Sequence, residues 1–243
     1  MFSIFSKRKS FVVDFITTDY KAYEYFPIDK SNKFIPQWWK DITQEYKDDN
    51  FKTKANRLNT LKRCPGFIDV FKYSYTLPLW TDCEIIVDER INDHGYSATS
   101  ADNSEITSHP SYEAGNFMPS NSLIHFKFQS PWIGYSSKKT DLLWNWSPAV
   151  WNNPNLLNKL IIPTAFRNFR GGTTTNIHTF MSSAESQVLN LDAGVPMIHM
   201  IPMSDKKIEV KCHYDPDWFK KVASTTSINF SNNSMYYTRK KHM

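Results

Sequence analysis

Two apolar segments near the carboxyl end constrain the fold of this chain most. Residues 193–203 read Ala-Gly-Val-Pro-Met-Ile-His-Met-Ile-Pro-Met, and a second alternating segment covers residues 208–213. Glycine and proline ahead of the first segment, and polar residues between the two, are typical of strand boundaries. With a turn near Asp205 and Lys206, the alternation places His199 opposite Cys212 on an apolar face. The pattern therefore predicts a β-hairpin, and it carries no catalytic signature.

Strand patterns also dominate the remainder of the chain. Residues 123–128 alternate cleanly, with Ile124, Phe126 and Phe128 on one face. The 8 Trp, 12 Tyr and 17 Phe favour strands over helical bundles. The sequence therefore predicts a mainly β fold with a few helices, arranged as a β-sandwich or a barrel.

One amphipathic helix is expected near the amino end. Pro36 suits a first helical position, and Trp39, Ile42 and Tyr46 recur at helical spacing, so we expect the Trp face to pack against its own domain. Polar residues 92–122 predict a long loop with at most one strand. We divide the chain into residues 1–62 (strand, helix and linker), a β-rich domain at 63–222, and a flexible basic arm at 223–243.

The charge and the cysteines restrict the partners and the setting. The formal net charge is +5, but residues 7–9 and 239–241 supply six positive charges, so the rest of the chain carries −1. We therefore expect nucleic acid to be contacted at most weakly, by the basic tails. Three cysteines without a Cys-x-x-Cys pair indicate a reducing compartment. No apolar run is long enough to span a bilayer, so no membrane partner is expected.

Sequence motifs assign no catalytic residue, metal ligand or cofactor. His213-Tyr214-Asp215 matches the His-x-Asp of iron oxygenases, but the only later histidine is His242, and Asp215 before Pro216 also suits a helix cap. The His-x-His pair of cupins is absent, and so are Gly-x-Ser-x-Gly and the glycine-rich phosphate loops. Cys64 at a possible helix start has no histidine that the sequence ties to it.

Four tryptophans form the candidate binding surface: Trp132, Trp144, Trp146 and Trp151. Exposed aromatic rings stack on sugars or bases. The alternative is that these rings pack in the core of a strand-rich domain.

Several short motifs together resemble a known family. They are Ile-Pro-Gln-Trp-Trp-Lys at 35–40, Arg-Cys-Pro-Gly-Phe-Ile-Asp at 63–69, Tyr-Thr-Leu-Pro-Leu-Trp at 75–80, and Gly-Val-Pro-Met followed by Ile-Pro within 194–202. In this respect the chain is similar to a poorly characterised family of marine tailed-phage (cyanophage-type) and bacterial proteins, over roughly residues 34–210. The resemblance implies a jelly-roll or double-stranded β-helix-like domain. It implies no established activity and no catalytic residue.

These observations favour a non-enzymatic phage protein, either virion-associated or an assembly and binding module. Its expected location is the host cytoplasm or the virion, and its expected partners are proteins or further copies of itself. Two alternatives stay open. One is a metal-dependent oxygenase-like or cupin-like enzyme that uses His178, His199 or His213. The other is an intracellular binder of carbohydrate or another small ligand through the four tryptophans.

Overall fold

The computed structural model describes residues 10–47, 57–88, 90, 96–101, 106–109, 123–137, 142–170 and 172–218. The predicted arm 223–243 and most of the predicted loop 92–122 lie outside these residues. The described part is mainly β with few helices, and its sheets form a sandwich-like arrangement, which confirms the prediction of a mainly β, sandwich-like fold. The described part of the 92–122 segment contains two strands rather than one.

The strands, in chain order, are β1 (Phe11–Thr17), β2 (Asp29–Lys30), β3 (Glu45–Lys47), β4 (Arg57–Asn59), β5 (Tyr75–Pro78), β6 (Cys83–Val87), β7 (Tyr96–Ser100), β8 (Ile106–His109), β9 (Leu123–Phe128), β10 (Trp132–Tyr135), β11 (Leu143–Pro148), β12 (Ala165–Asn168), β13 (Thr173–Thr174), β14 (Ile177–Ser182), β15 (Gln187–Leu191), β16 (Pro196–Pro202) and β17 (Ile208–Tyr214). The α-helices are α1 (Tyr20–Tyr25), α2 (Gln37–Asp41) and α3 (Pro65–Tyr73). Short 3₁₀ turns cover Ser31–Phe34, Leu61–Arg63 and Val150–Asn152.

A five-stranded antiparallel sheet lies at the centre of the fold. Its strand order is β12-β11-β16-β5-β2. Four consecutive residues of β16, from Met197 to Met200, are buried, so both faces of this sheet are covered. A strand buried on both faces reads as a nearly continuous apolar run, which is the pattern that made this segment conspicuous.

The predicted hairpin between β16 and β17 does not form. Strand β16 is hydrogen-bonded on one edge by β11 and on the other by β5, so β17 has no edge on which to pair with it. The chain instead crosses to a second sheet, of order β13-β10-β1-β17, where β17 runs parallel to β1. Cys212 therefore pairs with Phe15, and the expected pairing of His199 with Cys212 is wrong.

The two larger sheets share one core. The Tyr75 hydroxyl donates to the Ile208 carbonyl at 2.9 Å, which links the five-stranded sheet to β17. The ring of Phe15 meets that of Phe169 at 5.0 Å, and Phe169 lies 5.8 Å from Trp144. A Cβ atom on Gly134 of β10 would collide with the Phe169 ring, so this position accepts no side chain. The amino-terminal strand and the residues after 63 thus belong to one packing unit.

Smaller sheets complete the described part. One has the order β14-β9-β8, and another has the order β15-β6-β7. Strand β9 matches its predicted range, with Phe126 and Phe128 buried and Ile124 packed against the core. The Tyr96 ring of β7 contacts Phe126 at 5.3 Å, which brings these two sheets together. Strands β3 and β4 form a separate pair.

A helical layer covers the outer face of the five-stranded sheet. Trp39 of α2 packs edge-on against Phe71 of α3 at 5.4 Å, as expected for the Trp face of the predicted helix. The helix is shorter than predicted, because Ile42 is already extended and residues Glu45–Lys47 form β3. None of the described helices combines the length and the apolar composition needed to cross a bilayer.

Candidate functional site

The four predicted binding tryptophans do not share a surface. Trp132, Trp144 and Trp146 are 0%, 1% and 2% exposed, and they belong to the core. Trp151 is half-buried in the helical layer, 5.0 Å from the ring of Phe67. A ligand therefore cannot stack on Trp132 or Trp144 while the core is closed. Trp146 also lines a cavity.

That cavity lies between the five-stranded sheet and the edge strand β14, and its volume is about 260 Å³. Its walls are mostly apolar and include Trp146, Ile162, Ile177 and Ile198. Ile161 holds the chain beside β14, because its backbone exchanges hydrogen bonds of 2.9 and 2.8 Å with Phe180. We call this cavity the His–Arg cleft, after the polar residues His125, His178, Arg167 and Asn176 that also line it.

Two histidines meet at the His–Arg cleft. In the β9–β14 ladder His178 stands opposite Lys127, and Phe180 stands opposite His125. The two imidazoles are therefore diagonal neighbours, and Nε2 of His125 lies 3.0 Å from Nδ1 of His178. The His125 ring also stacks on Phe180, with the ring centroids 4.6 Å apart, which restrains its orientation.

Arg167 brings a permanent positive charge to the same cleft. It stands opposite Trp144 in the β11–β12 ladder, and its guanidinium carbon lies 5.3 Å from the ring centroid of Trp146. This distance is within the range of a cation–π contact. The indole nitrogen of Trp146 is buried and has no hydrogen-bond partner among the described residues.

The chemistry of the lining restricts what the cleft can do. It contains no carboxylate, hydroxyl, thiol or amine side chain, so the described lining offers no nucleophile for an imidazole base to activate. It contains donors and a fixed positive charge beside apolar walls. These properties suit the binding of a ligand that has an apolar body and an anionic or acceptor-rich end.

His199 is a structural residue in a different place. It is 0% exposed; its Nε2 receives a hydrogen bond from Asn152 Nδ2 at 3.1 Å, and its Nδ1 lies 3.2 Å from Ser31 Oγ and 3.3 Å from Thr76 Oγ1. Because the Asn152 amide nitrogen can only donate, the neutral ring carries its proton on Nδ1. Burial lowers the pKa of His199 to about 4, so the ring is neutral at physiological pH.

The His213-Tyr214-Asp215 motif also lies apart from the cleft. His213 Nε2 is 2.8 Å from Asp14 Oδ1, on the four-stranded sheet. The Asp215 carboxylate accepts from the backbone of Asp217 at 3.0 Å, and the body of the helix that it was expected to cap lies outside the described residues. Among the side chains that the structure describes, no group of three or more His, Cys, Asp or Glu is placed to hold a metal ion.

Among the described residues, Cys64 and Cys212 have no contact that would activate a thiol. Cys64 precedes α3, and its described surroundings contain no hydrogen-bonded histidine. Burial raises the pKa of the Cys212 thiol to about 12, so this thiol stays protonated.

The sequence predicted only part of the arrangement in the His–Arg cleft. His125 alternates with the buried phenylalanines of its strand, so its position on the opposite face was readable. The sequence did not predict that β9 pairs with β14 and so brings His178 beside His125. The two strands are about 50 residues apart in the chain, and no local pattern specifies which strands pair.

No family model, curated protein or solved structure that was compared with the chain matches it. The function is therefore inferred from the geometry of the described residues.

Proposed function

We propose that this chain is a non-enzymatic binding protein that holds a small amphipathic anion in the His–Arg cleft. One observation carries the proposal. The cleft combines apolar walls with a guanidinium and two imidazoles.

The class of ligand follows from the positive charge of the lining and from the apolar surface that a ligand would bury against it. An apolar body placed against Trp146, Ile177 and Ile198 gains roughly 25 cal/mol per Å² of apolar surface removed from water. A carboxylate or sulfonate end meets the positive charge of Arg167, whereas a cationic end is repelled by it. A volume of about 260 Å³ is slightly below the usual range of about 300–1,000 Å³ for ligand pockets, so the cleft suits a small molecule of two or three rings rather than a large cofactor.

The test uses two fluorescent probes of similar shape. 1-Anilinonaphthalene-8-sulfonate has the anionic end, and N-phenyl-1-naphthylamine has the same rings without the charge. We expect both probes to bind the wild-type protein with one site each. Arg167→Met weakens the sulfonate by about 10- to 100-fold, the value of a hydrogen bond to a charged group, and leaves the neutral probe nearly unchanged.

A second variant tests the location. Ala165 lines the cleft, so Ala165→Phe fills it and abolishes the binding of both probes. The same substitution at exposed Ala184, outside the cleft, is the matched control and preserves binding. Probe binding that survives in a folded Ala165→Phe variant contradicts the proposal.

We further propose that the protein works in a phage particle or in its assembly, with proteins or copies of itself as partners, in the host cytoplasm or the virion. The family resemblance of residues 34–210 supports this setting, and on this proposal the sandwich is a jelly roll. Mass spectrometry of purified particles is the test. A chain that is abundant in infected cells and never found in particles rules out the virion-associated form.

A metal-dependent enzyme of the oxygenase-like or cupin-like class is the second candidate. It is favoured by the 3.0 Å separation of the His125 and His178 ring nitrogens. Two imidazoles at metal–nitrogen distances of about 2.0–2.1 Å occupy adjacent coordination positions with a similar separation. His199 and His213, the other expected ligands, lie elsewhere. Metal analysis of protein purified without oxygen decides between the candidates, since only the metal site predicts stoichiometric metal that is lost in His178→Gln.

A further inference from the structure

A second groove lies on the four-stranded sheet, away from the His–Arg cleft. Strands β10, β1 and β17 run side by side there, and the register places Asp14 opposite Tyr135 and Ile16 opposite His213. The chain after β17 turns over the end of this sheet, where Trp218 completes the lining. The volume is about 490 Å³, within the range of about 300–1,000 Å³ that is usual for ligand sites.

An accessible carboxylate–imidazole pair stands in this groove. Asp14 Oδ1 and His213 Nε2 are 2.8 Å apart, and the two side chains are 33% and 47% exposed, so a ligand can reach both. An ionised carboxylate accepts about four hydrogen bonds, so the contact with His213 orients Asp14 and leaves further acceptor positions. The pair therefore suits a ligand that donates hydrogen bonds.

Aromatic rings form the apolar part of the same groove. The rings of Tyr135 and Trp218 meet at 6.3 Å with an interplanar angle of 75°. The indole nitrogen of Trp218 is shielded from water and has no hydrogen-bond partner among the described residues. Because this nitrogen is out of reach of solvent, the ring contributes apolar contact to a ligand rather than a hydrogen bond.

The combination of groups points to one class of ligand. Among the described residues that line the groove, Asp14 supplies a carboxylate and none is Lys or Arg, so an anion is disfavoured. A purely apolar molecule would desolvate the Asp14–His213 pair without replacing its hydrogen bonds. We infer that this groove binds a neutral carbohydrate, whose C–H face packs on the aromatic rings while its hydroxyl groups bond to Asp14 and His213.

Saturation-transfer difference NMR tests the inference. The probes are the methyl glycosides of glucose, galactose, mannose and N-acetylglucosamine, each at millimolar concentration with the full chain. We expect at least one sugar to bind, with the strongest transfer to the protons of one ring face. Trp218→Ala weakens that sugar by about tenfold or more, equivalent to ~1.4 kcal/mol, because one wall is lost.

Matched variants keep the test specific. Asp14→Asn halves the acceptor capacity and weakens the sugar, whereas Asp205→Asn in an exposed turn does not. Phe166→Ala removes an exposed aromatic ring of the other sheet and also leaves sugar binding unchanged. Binding of 1-anilinonaphthalene-8-sulfonate persists in Trp218→Ala, which separates this groove from the cleft.

Three results overturn the inference. The first is the absence of saturation transfer to every sugar. The second is sugar binding by Trp218→Ala and Asp14→Asn that equals binding by the wild-type protein. The third is selective binding of tetramethylammonium in place of sugars. The last result identifies the groove as a site for cationic amines.

Discussion

Acidification should destabilise this protein through one buried imidazole, that of His199. The ring is fully buried among Ser31, Thr76 and Asn152, and burial lowers its pKa from 6.5 to about 4. The unfolded chain therefore takes up a proton on this residue at a higher pH than the folded chain does. The stability that the neutral ring contributes is present above pH 6.5 and is lost as the pH falls towards 4.

The size of the effect follows from the same two values. Each unit of pKa difference corresponds to 1.36 kcal/mol, so the full loss is about 3 kcal/mol, and about 2 kcal/mol of it falls between about pH 7 and pH 5. A domain whose free energy of unfolding is roughly 5–15 kcal/mol registers this change clearly.

Urea unfolding followed by tryptophan fluorescence measures it. Other titrating groups contribute equally to wild type and to His199→Gln, so the difference between the two proteins isolates His199. We expect the variant to be less stable at neutral pH and the difference to shrink by about 2 kcal/mol towards pH 5. Parallel pH profiles refute the reasoning. If the variant does not fold, the NMR titration of His199 in the wild type replaces it, and an ordinary pKa near 6.5 gives the same refutation.

Two further substitutions, one of them with a matched control, test the packing between the large sheets. Gly134→Ala drives a methyl group into the Phe169 ring and should lower the free energy of unfolding by about 1–3 kcal/mol. The control is Gly66→Ala in α3, which has open space around it and should raise the stability slightly. Equal effects of the two substitutions in thermal melts contradict the close packing of Gly134 against Phe169. Tyr75→Phe removes the 2.9 Å hydrogen bond to the Ile208 carbonyl and should cost about 1–3 kcal/mol in urea unfolding, and an unchanged midpoint means that this link is not formed.

The sequence patterns predicted individual strands correctly but did not predict which distant strands pair. The alternation in residues 123–128 predicted β9 because burial of one face is a local property. The apolar segments around Met197 and Val210 predicted two strands correctly, yet they do not pair with each other. Since β16 is buried on both faces, alternation contained no information about which neighbours occupy its edges.

The candidate sites illustrate the same limit. Composition identified the tryptophans as rings that could bind a ligand, but only the packing shows that Trp132, Trp144 and Trp146 lie in the core. His125 and His178 stood alone in the sequence and are neighbours only because β9 pairs with β14. Asp14 and His213 meet because the first and last described strands run parallel, a pairing that no local signal predicts.

A crystal structure of the complex with 1-anilinonaphthalene-8-sulfonate tests the central proposal most directly. The account predicts electron density for the probe in the His–Arg cleft, with the sulfonate within hydrogen-bonding distance of the Arg167 guanidinium and the rings against Trp146. Density at any other place, or a cleft that stays closed to the probe at saturating concentration, contradicts the account.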